Sequence, residues 1–176
     1  LKLLEQVRDK QLRLDRTIEV SVTNAVEKKA IMLRIVPNVR TLQYLLKQNR
    51  GDYLQAINRK LPMRQRRAAW KNLVVRRNKA VRLVEEMNLR TGKLQPLFEK
   101  LRHASERMDE IKVMLANTDA MAIPGMPSVD ELRGELRYLM RLTYESPITL
   151  RRRISQCDAF REDYDAAKRV LSAGNL

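Results

Sequence analysis

One histidine and one cysteine are all the imidazole and thiol that this chain offers. A zinc site draws on three or four such ligands, and no carboxylate cluster with ligand spacing stands near His103 or Cys157 to make up the number. His103 is expected at a surface or an edge. Cys157 cannot form an internal disulfide, which agrees with a reducing compartment, and it reads as a small core hydrophobe. The five glycines stand singly, so there is no glycine-rich phosphate loop. No Ser or Cys has a base set against it for nucleophilic work. Asp158, Glu162 and Asp165 read as a solvated face of one helix, with Asp165–Arg169 as an i,i+4 pair, and not as an acid/base couple. These absences predict a chain with no catalytic residue, no metal, no cofactor and no small-molecule substrate. There is also no apolar run long enough to span a bilayer and no secretory pattern, which makes the cytoplasm the default location.

Acidic residues are in short supply too. Thirty-six Lys and Arg stand against 21 Asp and Glu, a net charge of +15. Such an excess points to a polyanionic partner, nucleic acid first and an acidic protein surface second. Scarce Gly and Pro beside abundant Leu, Arg, Lys, Glu and Ala favour helix over sheet. The expected fold is all-α, an elongated antiparallel bundle of about six amphipathic helices forming one domain over residues 1–176.

The periodicity places these helices in order. Residues 1–7 read as a helical tail, and residues 16–23 alternate polar with β-branched, as an extended segment crossing a helical surface does. Thr23 or Asn24 caps a helix ended by Pro37, with Val26, Ala30, Leu33 and Ile31 inward. A second helix from Asn38 to about Lys60 carries Val39, Leu42, Leu45 and Leu46, with a break or kink at 49–52 around Gly51. Pro62 opens the longest helix, to about Asn88, with Met63, Trp70, Leu73, Val74, Val81 and Val84 on its seam. A turn over 88–94 leads to a helix over 95–116 that turns Leu97, Phe98, Leu101, Ala104, Met108, Ile111 and Leu115 inward. Residues 117–127, with two prolines and a glycine, read as a loop. Ser128 and Glu131 form a capping box for a helix to about Tyr144, with Val129, Leu132, Leu136, Leu139 and Met140 on its inner side. Ser146 caps the last helix, 147–173, whose Leu150, Ile154, Cys157, Phe160, Tyr164, Ala167 and Leu171 share one side.

The strongest chemical signal is the longest helix. Residues 62–90 hold nine Lys or Arg against two Glu, a net +7. Arg64, Lys71 and Arg82 fall in one arc away from the seam, and Arg76 and Lys79 widen that surface. Arg66 and Arg77 project on the apolar side and must snorkel or find a partner. Arg151 and Arg152, with Arg153, surround the start of the last helix, where cations oppose the helix dipole unless something anionic meets them. The candidate DNA-binding residues are therefore Arg64, Lys71, Arg76, Lys79, Arg82, Arg151 and Arg152. Trp70 and Tyr164 fall on seams and are expected to pack, not to stack on bases.

Six stretches carry a family resemblance. Residues 3–7 (LLEQV), 15–21 (DRTIEVS), 34–42 (RIVPNVRTL), 83–91 (LVEEMNLRT), 146–153 (SPITLRRR) and 167–176 (AKRVLSAGNL) resemble, in order, a variant of the bacterial primary RNA polymerase sigma factors. In that variant they lie in the insert between the first conserved region, which would end at 1–8, and region two, which would be entered at 167–176. The resemblance implies a nonenzymatic helical segment that supports transcription initiation. Its implied partners are the clamp of the RNA polymerase core and promoter DNA. The family's clamp-binding helix and base-trapping aromatics would lie beyond Leu176, after an expected Arg-Leu-Val. The composition alone leaves two alternatives open, an independent helical nucleic-acid-binding module and a purely structural spacer.

Overall fold

A computed structural model describes residues 1–21, 23–117 and 127–173. The fold is all-α. Among the described residues there are seven helices: α1 (Lys2–Arg8), α2 (Leu14–Thr17), α3 (Ala25–Ile57), α4 (Met63–Glu85), α5 (Thr91–Ala116), α6 (Val129–Thr143) and α7 (Pro147–Ala173). The chain divides into two compact units, Leu1–Leu97 and Phe98–Leu176.

The first unit is built on an α3–α4 hairpin. Asn24 caps α3 through its side chain, which accepts from Glu27 N at 3.0 Å. The helix then runs unbroken through both Pro37 and Gly51 to Ile57, where the sequence predicts an end and a kink. Pro37 removes one backbone hydrogen bond, at about 3 kcal/mol, and Gly51 costs about 1 kcal/mol. Against this, α3 buries Ile31, Ile35, Val39, Leu42 and Leu45 in a single stripe. Each such side chain contributes about 1.5–3 kcal/mol, so burial outweighs both interruptions. Continuity also corrects which residues face inward. Read back from Val39, Leu42 and Leu45, the stripe passes through Ile35 and Ile31, and it leaves Val26 (82% exposed), Leu33 (69%) and Ala30 outside.

Three cross-hairpin interactions fix the antiparallel register of α3 and α4. Asn38 reaches the Met87 sulfur at 3.9 Å, Arg76 donates to Asn49 at 3.2 Å, and Arg66 donates to the Ala56 carbonyl at 3.0 Å. The core gathers at the open end, where Leu4 and Val7 of α1 and Ile18 and Val20 meet Ile31, Ile35, Val39, Leu42 and Met87. The expected extended segment is present in part. Thr17 ends the short turn α2, and the strand-like residues after it cross the hairpin. Ile18 forms an isolated antiparallel bridge to Leu89, with Glu19 N donating to Asn88 O at 2.9 Å and Arg90 N to Thr17 O at 3.0 Å. On α4, Ala69 and Leu73 are buried, whereas Met63 and Val81 of the expected seam are about half exposed. The inner face thus passes through Arg66, Ala69, Leu73, Arg76 and Ala80, a rotation from the Trp70–Val81 line. Trp70 is half-buried.

In the second unit the Ser128–Glu131 capping box forms as predicted, and Ser146 accepts from Thr149 N at 3.2 Å to cap α7. Met108 and Ile111 of α5, Leu132 of α6 and Leu150 of α7 are buried. Leu101, expected inward, is exposed, and so is Leu97 at the end of the first unit. The α7 seam departs most from expectation. Leu150 is buried and Ile154 half-buried, but Cys157, Phe160 (73% exposed), Tyr164, Ala167 and Leu171 are all exposed. Cys157 is therefore no core hydrophobe. Polar pairs join α7 to α5 instead: Glu99 to Arg161 (3.7 Å), Arg102 to Asp158 (2.5 Å) and Asp109 to Arg151 (2.6 Å). The predicted loop lies, but for its two end residues, outside the described residues.

Candidate nucleic-acid interface

A lone amphipathic helix rich in arginine must divide its cations between partners and water. On α4 the division is sharp. Arg66 and Arg76 point into the hairpin and are satisfied there, Arg66 by a backbone carbonyl and Arg76 by Asn49 and an ion pair with Asp52. Arg76 is half-buried, so it leaves the candidate interface and becomes part of the α3–α4 packing. Arg77 is half-buried as well.

Arg64, Lys71, Lys79 and Arg82 are exposed, and none forms an ion pair among the described residues. The steps of seven and eleven residues between Arg64, Lys71 and Arg82 are close to whole turns, so the three lie in one row along the helix. At 1.5 Å rise per residue the row extends about 27 Å. Exposed Arg67 and Asn78 stand among these cations, and no carboxylate occurs on α4 before Glu85. Such a row is a uniform positive surface that raises the local concentration of any polyanion.

The start of α7 behaves differently. Asp109 accepts from Arg151 Nε at 2.6 Å and pushes the Arg151 pKa up. Arg153 meets Glu145, a buried carboxylate, at 2.8 Å. For Arg151 and Arg153 the expected conflict with the helix dipole is thus relieved from within the protein. Of the two arginines predicted to bind DNA here, Arg151 is engaged by Asp109, and Arg152 is exposed without an ion pair among the described residues.

The acidic face of α7 is also partly engaged. Asp158 accepts from Arg102, and Asp165 lies 4.0 Å from Arg161, not from Arg169 as its spacing suggests. His103 is exposed, and no group of three or more His, Cys, Asp or Glu able to hold a metal occurs among the described residues. No described helix is long and apolar enough to cross a membrane.

One basic feature escapes the sequence reading. Arg133, Arg137 and Arg141 on α6 are all exposed and recur every four residues, which sets them in a gently winding ridge. The spacing itself is the signal that could have found them. It is hidden by the strong apolar stripe on the opposite side of the same helix.

No protein-family model, no curated protein and no solved structure matches the chain.

Proposed function

We propose that this chain is a helical, nonenzymatic segment of a bacterial primary sigma factor, in the cytoplasm, whose α4 presents a basic face to promoter DNA during transcription initiation. The observation that carries the reading is the row of Arg64, Lys71 and Arg82, with Lys79 beside it, exposed and without ion pairs among the described residues. Cations that serve packing in this hairpin have found partners, as Arg66 and Arg76 have. The outer four stand along one helix with no carboxylate before Glu85, and a polyanion would complement that row. The family part of the reading rests on the six ordered stretches between residues 3 and 176.

The test is promoter binding by the assembled polymerase holoenzyme across a salt series. Replacing Arg64, Lys71, Lys79 and Arg82 by Gln leaves the helical fold unchanged. It lowers affinity on promoters of different sequence and flattens the log–log salt slope by about 0.9 for each phosphate no longer neutralised. A variant that overlays the wild type makes the charge a solubilising surface and favours the spacer. Weakened assembly with the polymerase core, at unchanged DNA affinity, assigns the row to an acidic patch on the clamp. Sequence-specific binding by the 176-residue chain alone favours the independent module.

A further inference from the structure

The two flanks of the α3–α4 hairpin are unlike. On the flank that holds the Asp52–Arg76 pair, Gln48, Gln65 and Asn72 stand exposed. At about 100° per residue, measured from the buried Leu42 and Asn49 on α3 and Leu73 on α4, the opposite flank carries Leu54, Ile57, Met63, Trp70 and Val74. The register set by Arg76 on Asn49 and Arg66 on Ala56 brings Leu54 level with Trp70, and Ile57 between Met63 and Trp70. Leu54 is 43% and Met63 56% exposed, while Ile57, Trp70 and Val74 are half-buried along the crease between the helices. From Met63 to Val74 the strip is about 16 Å long, three turns of helix. The same flank is already in use at the open end of the hairpin. There α1 packs with Leu4 and Val7 buried, and its Glu5 accepts from Gln43 at 2.8 Å. Lys47, Arg50 and Arg67 border the rest of the strip, exposed and without ion pairs among the described residues. Between Lys28 and Val84 the sequence has sixteen Lys and Arg and one carboxylate, Asp52, which Arg76 engages.

We infer that this strip is a docking groove for an acidic amphipathic helix of a partner protein. Apolar side chains of that helix, at i, i+3, i+4 and i+7, cover Leu54, Met63 and Trp70, and its Asp or Glu residues meet Lys47, Arg50 and Arg67. The contact of α1 has the same form in small: two buried aliphatic side chains, with a carboxylate turned to this flank. Charge sets the partner's sign. The one carboxylate of the hairpin is engaged on the other flank, so nothing there repels an acidic helix, whereas the cations repel a basic one. Nucleic acid would satisfy the cations but leave Leu54 and Met63 in water. A bilayer takes up side chains that stand proud of the surface, whereas Ile57, Trp70 and Val74 are recessed. The inference concerns the first unit only and holds whether or not the outer row of α4 touches DNA.

Trp70 is the one tryptophan of the chain, so its fluorescence reports on the groove directly. The experiment titrates the 176-residue chain with a tryptophan-free peptide of about 18 residues, long enough to form a helix, with Leu at helical spacing and Glu on both sides of the Leu face. The controls are a peptide of the same composition in scrambled order, a DNA duplex and vesicles of anionic phospholipid. Docking of the designed peptide is expected to shift the Trp70 emission to the blue. Leu54→Gln with Met63→Gln should weaken docking by about tenfold or more. Arg50→Gln with Arg67→Gln should weaken it and reduce its dependence on salt. All four positions are exposed, so circular dichroism of each variant should overlay the wild type. The α4 quadruple variant should keep the blue shift at saturating peptide, which separates this groove from the outer row. The inference is overturned if the designed peptide gives no shift, or if the scrambled peptide shifts the emission equally. It is equally overturned if only the vesicles or the duplex move the emission.

Discussion

Arg76 on α4 and Asp52 on α3 are joined as an ion pair across the hairpin, and the same guanidinium donates to Asn49, itself buried. Both charged side chains are about four-fifths removed from water. Taking away one partner leaves the other desolvated. Arg76→Gln is expected to cost about 1–3 kcal/mol in urea-induced unfolding, while the salt slope for nucleic acid stays at its wild-type value. A flattened slope at unchanged stability would return Arg76 to the binding surface.

The rotated inner face of α4 makes a ranking of core substitutions. Leu73 is fully buried, so Leu73→Ala is expected to cost about 2–5 kcal/mol. Val81 is half exposed, and Val81→Ala should cost about 1 kcal/mol or less. Comparable losses at the two positions in a denaturant melt would put the seam back on the Trp70–Val81 line.

Pro37 leaves α3 one hydrogen bond short while its own side chain is exposed. Pro37→Ala restores that bond without filling or emptying the core. Thermal unfolding should show a gain of up to about 3 kcal/mol. A decrease would mean that the proline holds a bend on which the core depends.

The charge pairs of the second unit carry a pH signature. Hydrogen bonds from Arg107, at 2.7 and 2.8 Å, hold the Glu135 carboxyl below the ordinary glutamate range. The Ser128 backbone N–H and hydroxyl do the same for Glu131. A depressed carboxylate contributes its stability above the unfolded pKa and loses it as pH falls through the folded one. The α5–α6 pair should therefore loosen only below about pH 4, where the unfolded chain already takes up protons. Glu135→Gln should remove that part of the acid titration followed by circular dichroism, and an unchanged titration would exclude Glu135 as its source.

How much of this fold was legible depended on how local each signal was. The cap at Asn24, the capping box at Ser128 and Glu131, and the start of α7 at Pro147 are written within four residues, and all three stand in the structure. Pro37 and Gly51 misled because propensity is a local preference, whereas the stripe from Ile31 to Leu45 is summed over four turns and wins. The α7 seam has the same apolar spacing along its whole length, but its exposure from Cys157 onward follows from what lies opposite, which one helix's sequence does not record. Arg76 and Lys79 looked equivalent for the same reason, since only the presence of Asp52 and Asn49 on the facing helix separates a packed arginine from an open cation.

The ion pairs between α5 and α7 also act as a vernier. Going up α5, Glu99 and Arg102 meet Arg161 and Asp158, with the signs reversed on the facing helix, and Asp109 meets Arg151 seven residues further along both. Sliding α7 by one turn in one direction would set Glu99 against Asp158. Sliding it by one turn in the other would set Arg102 against Arg161. Either slip exchanges attraction for repulsion, so one alignment is selected from several that apolar side chains alone would tolerate. For a helix whose far half is bare to solvent, that selection determines where along α5 the exposed Phe160 comes to stand.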